Sequence, residues 1–373
     1  MRIFVTGATG FIGAHFIEKA LDDGHSIVGL YRSEAPKQLE LLDALRARGA
    51  VLHRGDLSDP TSIEAAIAGA ECVCHFAAAF RESGADEAFF EKMNNEGTAT
   101  VLKAARAAGV KRFVHCSTAG IHGQRVPGLI DEKTAIKPWN GYERSKVAAE
   151  EQVRQIAGES GMEYVILRPT AVYGPRDERL QKLYRSVAKG RFPLFGKGEG
   201  RRHLVYVSDL ADAFLRACTV PEAANQAFII AGPEAVPLRQ LLMTLAQVCE
   251  RRSFGPQLPL KPMMWVAGLT EDICRKLKVA PPIYRRRMDF YLNDAAFSSS
   301  RAQAVLGWMP KVGLKEGLTT TVRATLPEGG TEVSTKSKDA IRAATQVTAR
   351  QLRGVAIIVI GGLIAVASAL DFA

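Results

Sequence analysis

Cysteine is scarce in this sequence and carries no framework spacing. The six residues (Cys72, Cys74, Cys116, Cys218, Cys249 and Cys274) include no CxxC pair and are too few for a secreted disulfide scaffold. Reduced thiols in a cytoplasmic compartment, with no metal site, are therefore expected. Long blocks of one charge are also missing. The net charge is +10, yet basic spots such as Arg201-Arg202 and Arg285-Arg286-Arg287 are short. With no accompanying recognition motif, nucleic acid is not an expected partner. Anionic cofactors, small-molecule substrates or lipid headgroups suit the charge better. There is no internal repeat. Met1-Arg2-Ile3 leads directly into an apolar strand and leaves no room for a signal peptide.

What the sequence does contain is alternation. Ile3–Thr6, Ser26–Tyr31, Val51–His53, Cys72–Ala77, Arg112–Cys116 and Tyr164–Arg168 are short apolar runs that read as buried strands. Helical patterns lie between them at Phe11–Asp23, Gln38–Arg48, Ser62–Ala68, Phe89–Ala108 and Tyr142–Gly158. Strand and helix in strict turn predict an α/β fold: a Rossmann-type, doubly wound parallel sheet covered on both faces. This domain is expected over residues 1–174. Pro and Gly recur after Arg168-Pro169, and the short helices between them predict a smaller C-terminal substrate lobe over 175–322, parts of which return to the sheet.

Residues 323–353 read as a polar linker. Residues 354–370 come next, seventeen residues without a charge. As a helix they would span about 26 Å at 1.5 Å per residue, at the short end for a bilayer core of about 30 Å. Arg350 and Arg353 precede this run. A C-terminal hydrophobic helix anchoring the protein in a membrane, with the catalytic part on the cytoplasmic side, is the expectation. A terminal helix docked on the enzyme is the alternative.

Two motifs carry chemistry. Thr6-Gly7-Ala8-Thr9-Gly10-Phe11-Ile12-Gly13 joins the first strand to the first helix. Its glycines allow a tight turn and close approach of a pyrophosphate to a helix N-terminus. Tyr142 and Lys146 are spaced YxxxK, which puts them on one face of a helix. An ammonium beside a phenol favours the phenolate, so the tyrosine can exchange protons nearer neutral pH.

The order of these and further motifs resembles the extended short-chain dehydrogenases/reductases, the NAD(P)-dependent epimerase/dehydratase family. The shared features are Gly7, Gly10 and Gly13, Asp56-Leu57, Ala77-Ala78, Asn94 in Asn-x-x-Gly-Thr, Ser117-Thr118, and YxxxK. Arg168-Pro169-Thr170-Ala171-Val172-Tyr173-Gly174-Pro175 and Leu306-Gly307-Trp308-x-Pro310 complete the resemblance, which spans residues 1–322. It implies a nicotinamide cofactor held by Gly7, Thr9, Gly10, Phe11, Ile12 and Gly13. Asp56 and Leu57 would lie beside the adenine, Ala77 and Ala78 against the ribose, and Asn94 near the site. A turn beginning at Asp59-Pro60 is another account of Asp56.

Resemblance also implies Tyr142 as general acid/base, with Lys146 as its electrostatic partner and ribose contact. Thr118, or Ser117 one residue earlier, would orient the substrate oxygen. No metal is needed. Family members that select NAD place a carboxylate at the end of the second strand, where this chain has Arg32. Arginine suits a 2′-phosphate, so NADP(H) is favoured over NAD(H). Tyr173 and Arg202 are placed on the substrate side. Arg202 suggests a nucleotide sugar. The apolar run Met263–Leu269 and the tail suggest a sterol-like or isoprenoid-like substrate, the reading preferred here. A catalytically silent NAD(P)-binding scaffold or sensor is the remaining alternative, and a homodimer is a possible assembly.

Overall fold

Every second residue of the first strand faces the opposite side of the sheet, and each side finds its own apolar partners. Ile3 and Val5 join one buried cluster, together with Phe16 and Ile17 of the helix Phe11–Asp22 and Phe214 of the helix Val207–Thr219. Phe4 joins another, with Ile63, Val101 and Val153 from three further helices. A strand buried on both faces needs helices on both faces, which is the doubly wound arrangement. Complete burial of each large side chain contributes about 1.5–3 kcal/mol.

The computed structural model describes residues 1–80, 85–276 and 290–326. Its strands are β1 (Arg2–Thr6), β2 (Ser26–Tyr31), β3 (Val51–Arg54), β4 (Cys72–His75), β5 (Arg112–Cys116) and β6 (Glu163–Pro169). They are followed by β7 (Ala171–Tyr173), β8 (Leu194–Phe195), β9 (Arg201–Tyr206), β10 (Gln226–Ile230), β11 (Ala235–Pro237) and β12 (Gln257–Leu258). Seven of them form one parallel sheet in the order β10-β6-β5-β4-β1-β2-β3. The order reverses between β1 and β4, and ligands of such sheets bind beyond the carboxyl ends of the strands at that point.

Two compact units result. The first is Met1–Gly174, Arg201–Val236 and Asp294–Gly313; the second is Pro175–Gly200, Pro237–Asn293 and Leu314–Ala373. Two segments of the expected lobe thus belong to the first unit. One supplies β10, and the other contains Trp308, which is fully buried and donates Nε1–H to the Asp209 carbonyl at 2.9 Å. Asp209 Oδ2 in turn accepts from the backbone N–H groups of Lys311 and Val312, both at 3.0 Å. In the second unit the parallel pair β8–β12 accompanies the helices Leu238–Val248 and Leu314–Thr325.

Three expected boundaries shift. The strand expected to reach Ala77 ends at His75, because Ala79 turns away to pair with Asn94. The continuous helix expected over Phe89–Ala108 is α-helical at Glu87–Phe90, π-helical at Glu91–Glu96 and α-helical again at Gly97–Ala107. The linker expected from residue 323 begins later, since the helix Leu314–Thr325 runs on through it. The tail expected at 354–370 lies outside the described residues. Among the described residues, no helix is long and apolar enough to cross a membrane.

Candidate active site

The turn after β1 is built by glycines that depend on one another. Gly7 has φ +70°, and a Cβ there would lie 2.9 Å from the Ala77 nitrogen. A Cβ on Gly13 would lie 2.2 Å from the Gly7 carbonyl oxygen, which already accepts from Gly10 N–H at 2.9 Å. Neither clash can be relieved by rotating a side chain. The helix Phe11–Asp22 starts at Gly10 with no side-chain cap, so its first N–H groups point to the space beyond β1. Thr9, Phe11 and Ile12 are half-buried around this turn, Ala77 is half-buried opposite it, and Ala78 is exposed. This cradle fits a dinucleotide pyrophosphate.

Arg32 is exposed just past β2, with no hydrogen bond or ion pair among the described residues. The nearest downstream acid, Glu34, accepts from the buried Tyr31 hydroxyl at 2.8 Å and lies 3.9 Å from Arg54. Asp56 accepts from the Ser58 N–H at 2.9 Å and the Ser58 hydroxyl at 2.7 Å, and these bonds hold its carboxyl below the usual range. Asp59 is the residue that caps the following helix, through Thr61 N–H. Leu57 packs against Gly97 and the second core cluster.

The helix Gly141–Ser160 carries both Tyr142 and Lys146. Asn140 accepts from Glu143 N–H at 2.9 Å, while Glu143 accepts from Asn140 Nδ2 at 2.9 Å and from Trp139 N–H at 2.6 Å. This reciprocal cap fixes where the helix begins. Tyr142, the second residue of the helix, stays half-buried, with its ring edge-on to Phe80 at 4.7 Å and to Phe90 at 6.2 Å between centroids.

Lys146, four residues on, is 1% exposed, and no hydrogen bond reaches its ammonium among the described residues. Burial lowers it to about 8, against the opposing pull of Cys116 and Glu150. Glu150, one further turn along, is buried as well. It accepts from Arg168 Nη2 at 2.7 Å and Nε at 2.9 Å, from Arg154 at 2.8 Å and from the Ser117 hydroxyl at 2.6 Å. Burial alone would raise this carboxyl; Arg168 foremost, then Ser117 and Arg154, hold it below its ordinary value. Losing one partner of a buried pair costs about 3–5 kcal/mol.

These contacts separate the two candidate hydroxyls. Ser117 is buried and committed to Glu150. Thr118 is half-exposed, and its oxygen accepts from Gly120 N–H at 3.1 Å, which leaves its proton to donate.

Asn94 sits in the π-helical turn with its amide fully engaged. Oδ1 accepts from Ala79 N–H at 2.7 Å, and Nδ2 donates to Ala79 O at 3.1 Å and to the Ser145 hydroxyl at 2.9 Å. It therefore clamps the loop after β4 to the helix of Tyr142. Tyr173 is buried at the end of β7, edge-on to Tyr206 at 5.3 Å. Arg202 lies on β9, two residues before the Leu204 that pairs with Ala171. Burial lowers its guanidinium to about 10, with Asp294 opposing. The bidentate bond to Asp294 comes from Arg201 instead, at 2.8 and 3.1 Å.

Several residues that shape the site were not anticipated from sequence: Phe80, Phe90, Glu143, Ser145, Glu150 and His75. Only the Asn140-x-x-Glu143 spacing carried a readable signal, that of a helix cap. Away from the site, the sulfurs of Cys72, Cys74 and Cys218 lie within 4.8 Å of one another in the core. They are the one group of possible metal ligands among the described residues.

A family model described as the NAD dependent epimerase/dehydratase family matches residues 3–231. A 2-alkyl-3-oxoalkanoate reductase of Stenotrophomonas maltophilia is 28% identical, covering 85% of this chain and 97% of its own. A UDP-glucose 4-epimerase of Vibrio cholerae is 29% identical, covering 85% and 95%. Among solved structures, UDP-glucose 4-epimerase of Thermotoga maritima with UDP-glucose is similar at TM-score 0.69 and 25% identity, covering 87% of this chain and 98% of that one.

The burial of Lys146 has a pH signature. Below about pH 8 the lysine is charged in both folded and unfolded chains, and its burial costs stability. Between about 8 and 10.5 the folded chain loses the proton first, so that cost disappears as pH rises. Without added nucleotide, Lys146→Met should gain stability over wild type by roughly 3 kcal/mol more at pH 7 than at pH 11. Urea melts across pH measure this; an unchanging difference would show that the buried charge is not under strain.

Proposed function

The chain belongs to the NAD-dependent epimerase/dehydratase family, and on that basis we propose that Tyr142 is the general acid/base for hydride exchange at a secondary alcohol or ketone. It is an enzyme of the extended short-chain dehydrogenase/reductase type. The observation that carries the assignment is Lys146: a buried ammonium with no hydrogen-bond partner among the described residues, one helical turn from Tyr142.

The glycine cradle of Gly7, Gly10 and Gly13 fits the cofactor's pyrophosphate, and Lys146 is placed to meet ribose hydroxyls. When bound, the nicotinamide supplies hydride transfer. Thr118 donates its hydroxyl proton to the substrate oxygen and fixes its position. Tyr142 gives its phenolic proton to that oxygen in reduction and takes it back in oxidation. Lys146 stabilises the phenolate formed. Phe80 and Phe90 stand edge-on to the phenol ring and restrict it.

Replacing Tyr142 with Phe should lower kcat roughly 10²–10⁴-fold while nucleotide binding stays within a few-fold of wild type. Equal turnover by the two proteins, or none by wild type with cofactor binding intact, would instead favour a silent scaffold or sensor.

NADP(H) is the preferred cofactor in this reading, because the exposed Arg32 stands where an acid would meet the ribose 2′-hydroxyl and Glu34 is engaged by Tyr31 and Arg54. Arg32→Asp should shift the ratio of NADP(H) to NAD(H) affinity toward NAD(H) by roughly tenfold or more. A ratio that does not move means Arg32 does not read the phosphate.

An apolar ketone or alcohol, sterol-like or isoprenoid-like, is the preferred substrate. The relative named for a 2-alkyl-3-oxoalkanoate supports this. The half-buried Arg202 and the relative named as a UDP-glucose epimerase favour a nucleotide sugar as the second reading. Turnover of a panel of alkyl ketones, sterols and UDP-sugars separates them, with product analysis to detect epimerisation without net redox change. Residues 354–370 complete the proposal as a membrane anchor that leaves the enzyme cytoplasmic. Deleting 354–373 should then move the protein from the membrane to the soluble fraction, and a full chain already soluble would count against an anchor.

A further inference from the structure

The chain's positive charge is not shared between its two units. Among the described residues, those of the second unit hold 15 Lys and Arg against 7 Asp and Glu, a net of +8. Those of the first unit hold 24 against 26, a net of −2. The positive excess of the described residues therefore lies in the second unit.

The same unit carries an unusual helix. In Leu260–Lys276, Trp265 is 71% exposed and Met264 43% exposed, while Ala267 is fully buried. Lys261 is exposed three and four residues before them, so Lys261, Met264 and Trp265 share one helical face. The start of this helix lies against the turn at Gly196, where the exposed Lys197 is 3.8 Å from the exposed Glu199. A Cβ on Gly196 would come 3.4 Å from Leu260 Cβ. Exposed Arg239 donates to Gln257 Oε1 at 2.7 Å, just before the helix, and Arg251 and Arg252 are exposed a few residues earlier.

A tryptophan and a methionine standing in water beside lysines and arginines make a face with two demands. The rings and thioether favour an apolar phase, and the cations favour anions at its boundary. A membrane surface rich in anionic lipid meets both, with the tryptophan ring reaching past the headgroups into the first part of the acyl chains and Lys261 extended to the phosphates.

We propose that the second unit docks on anionic membrane through the Lys261/Met264/Trp265 face of this helix. The proposal does not depend on the catalytic reading or on the 354–370 segment: this face orients the unit on lipid whether or not that segment inserts.

The test uses the full-length chain with two kinds of vesicle carrying brominated acyl chains: phosphatidylcholine alone, and phosphatidylcholine with phosphatidylglycerol. Bromine quenches only tryptophans that reach the acyl region. With anionic vesicles, wild type should show quenched, blue-shifted emission. Trp265→Phe should lose that quenching several-fold, since Trp308 is buried and Trp139 lies in the first unit. Lys261→Glu should weaken it, as should high salt. Equal quenching in wild type and Trp265→Phe overturns the proposal. So does co-flotation without quenching, which would mean attachment by another segment. A blue shift that grows with protein concentration and ignores lipid also overturns it, and would point to a second copy of the chain on this face.

Discussion

An ammonium buried without a hydrogen-bond partner among the described residues is the constraint around which the site is arranged. Lys146 is unfavourable in its place unless something answers its charge. Glu150 does so from one turn away, yet a carboxylate so buried needs support of its own. Arg168, Arg154 and Ser117 provide it. Arg168 comes from β6 and Ser117 from the end of β5, so one lysine links a helix to two neighbouring strands. The same network that makes the lysine tolerable also takes up the Ser117 hydroxyl proton, which Glu150 accepts.

Geometry at the switch point is set with similar economy. Gly7 and Gly13 approach so closely that neither position admits a side chain, which brings the first helix down onto the loop after β4. That loop is held by Asn94, and Asn94 reaches it from a π-helical turn. A regular α-helix keeps one register throughout, whereas one wide turn rotates every residue after it. Thr98 exploits the result: its hydroxyl donates to the Asn94 carbonyl at 2.5 Å and meets His75 Nε2 at 2.9 Å. The loop, the helix of Tyr142 and the end of β4 are thereby fastened to one another.

Much of this was legible in the sequence because it is local. Buried strands such as Ile3–Val5 are short and uniformly apolar, and the turn of Gly7 to Gly13 is compressed into seven residues. The hidden features depend on partners far apart along the chain. Glu150 looks like an ordinary helix-surface acid until Arg168 and Ser117 close on it. Gln226–Ile230 lies in a stretch broken by Pro and Gly, and only pairing with β6 reveals it as the seventh strand. The motif favours Thr118 over Ser117 by position alone, and does not show that the Ser117 hydroxyl is already bound to Glu150. Asn94 carried a signal of importance but not of kind: its amide is spent on protein atoms.

The two histidines behind the lysine have a consequence of their own. His75 lies between the Thr6 and Thr98 hydroxyls, and burial, with Lys146 adding to it, keeps its ring neutral down to about pH 3. His115 stacks on it at 5.5 Å, and burial lowers it in the same sense. Residues that elsewhere act as switches near neutrality are here electrically silent backing. Mild acidification therefore leaves the field behind Lys146 unchanged, and the proton balance of the pocket near neutral pH falls to its front wall alone.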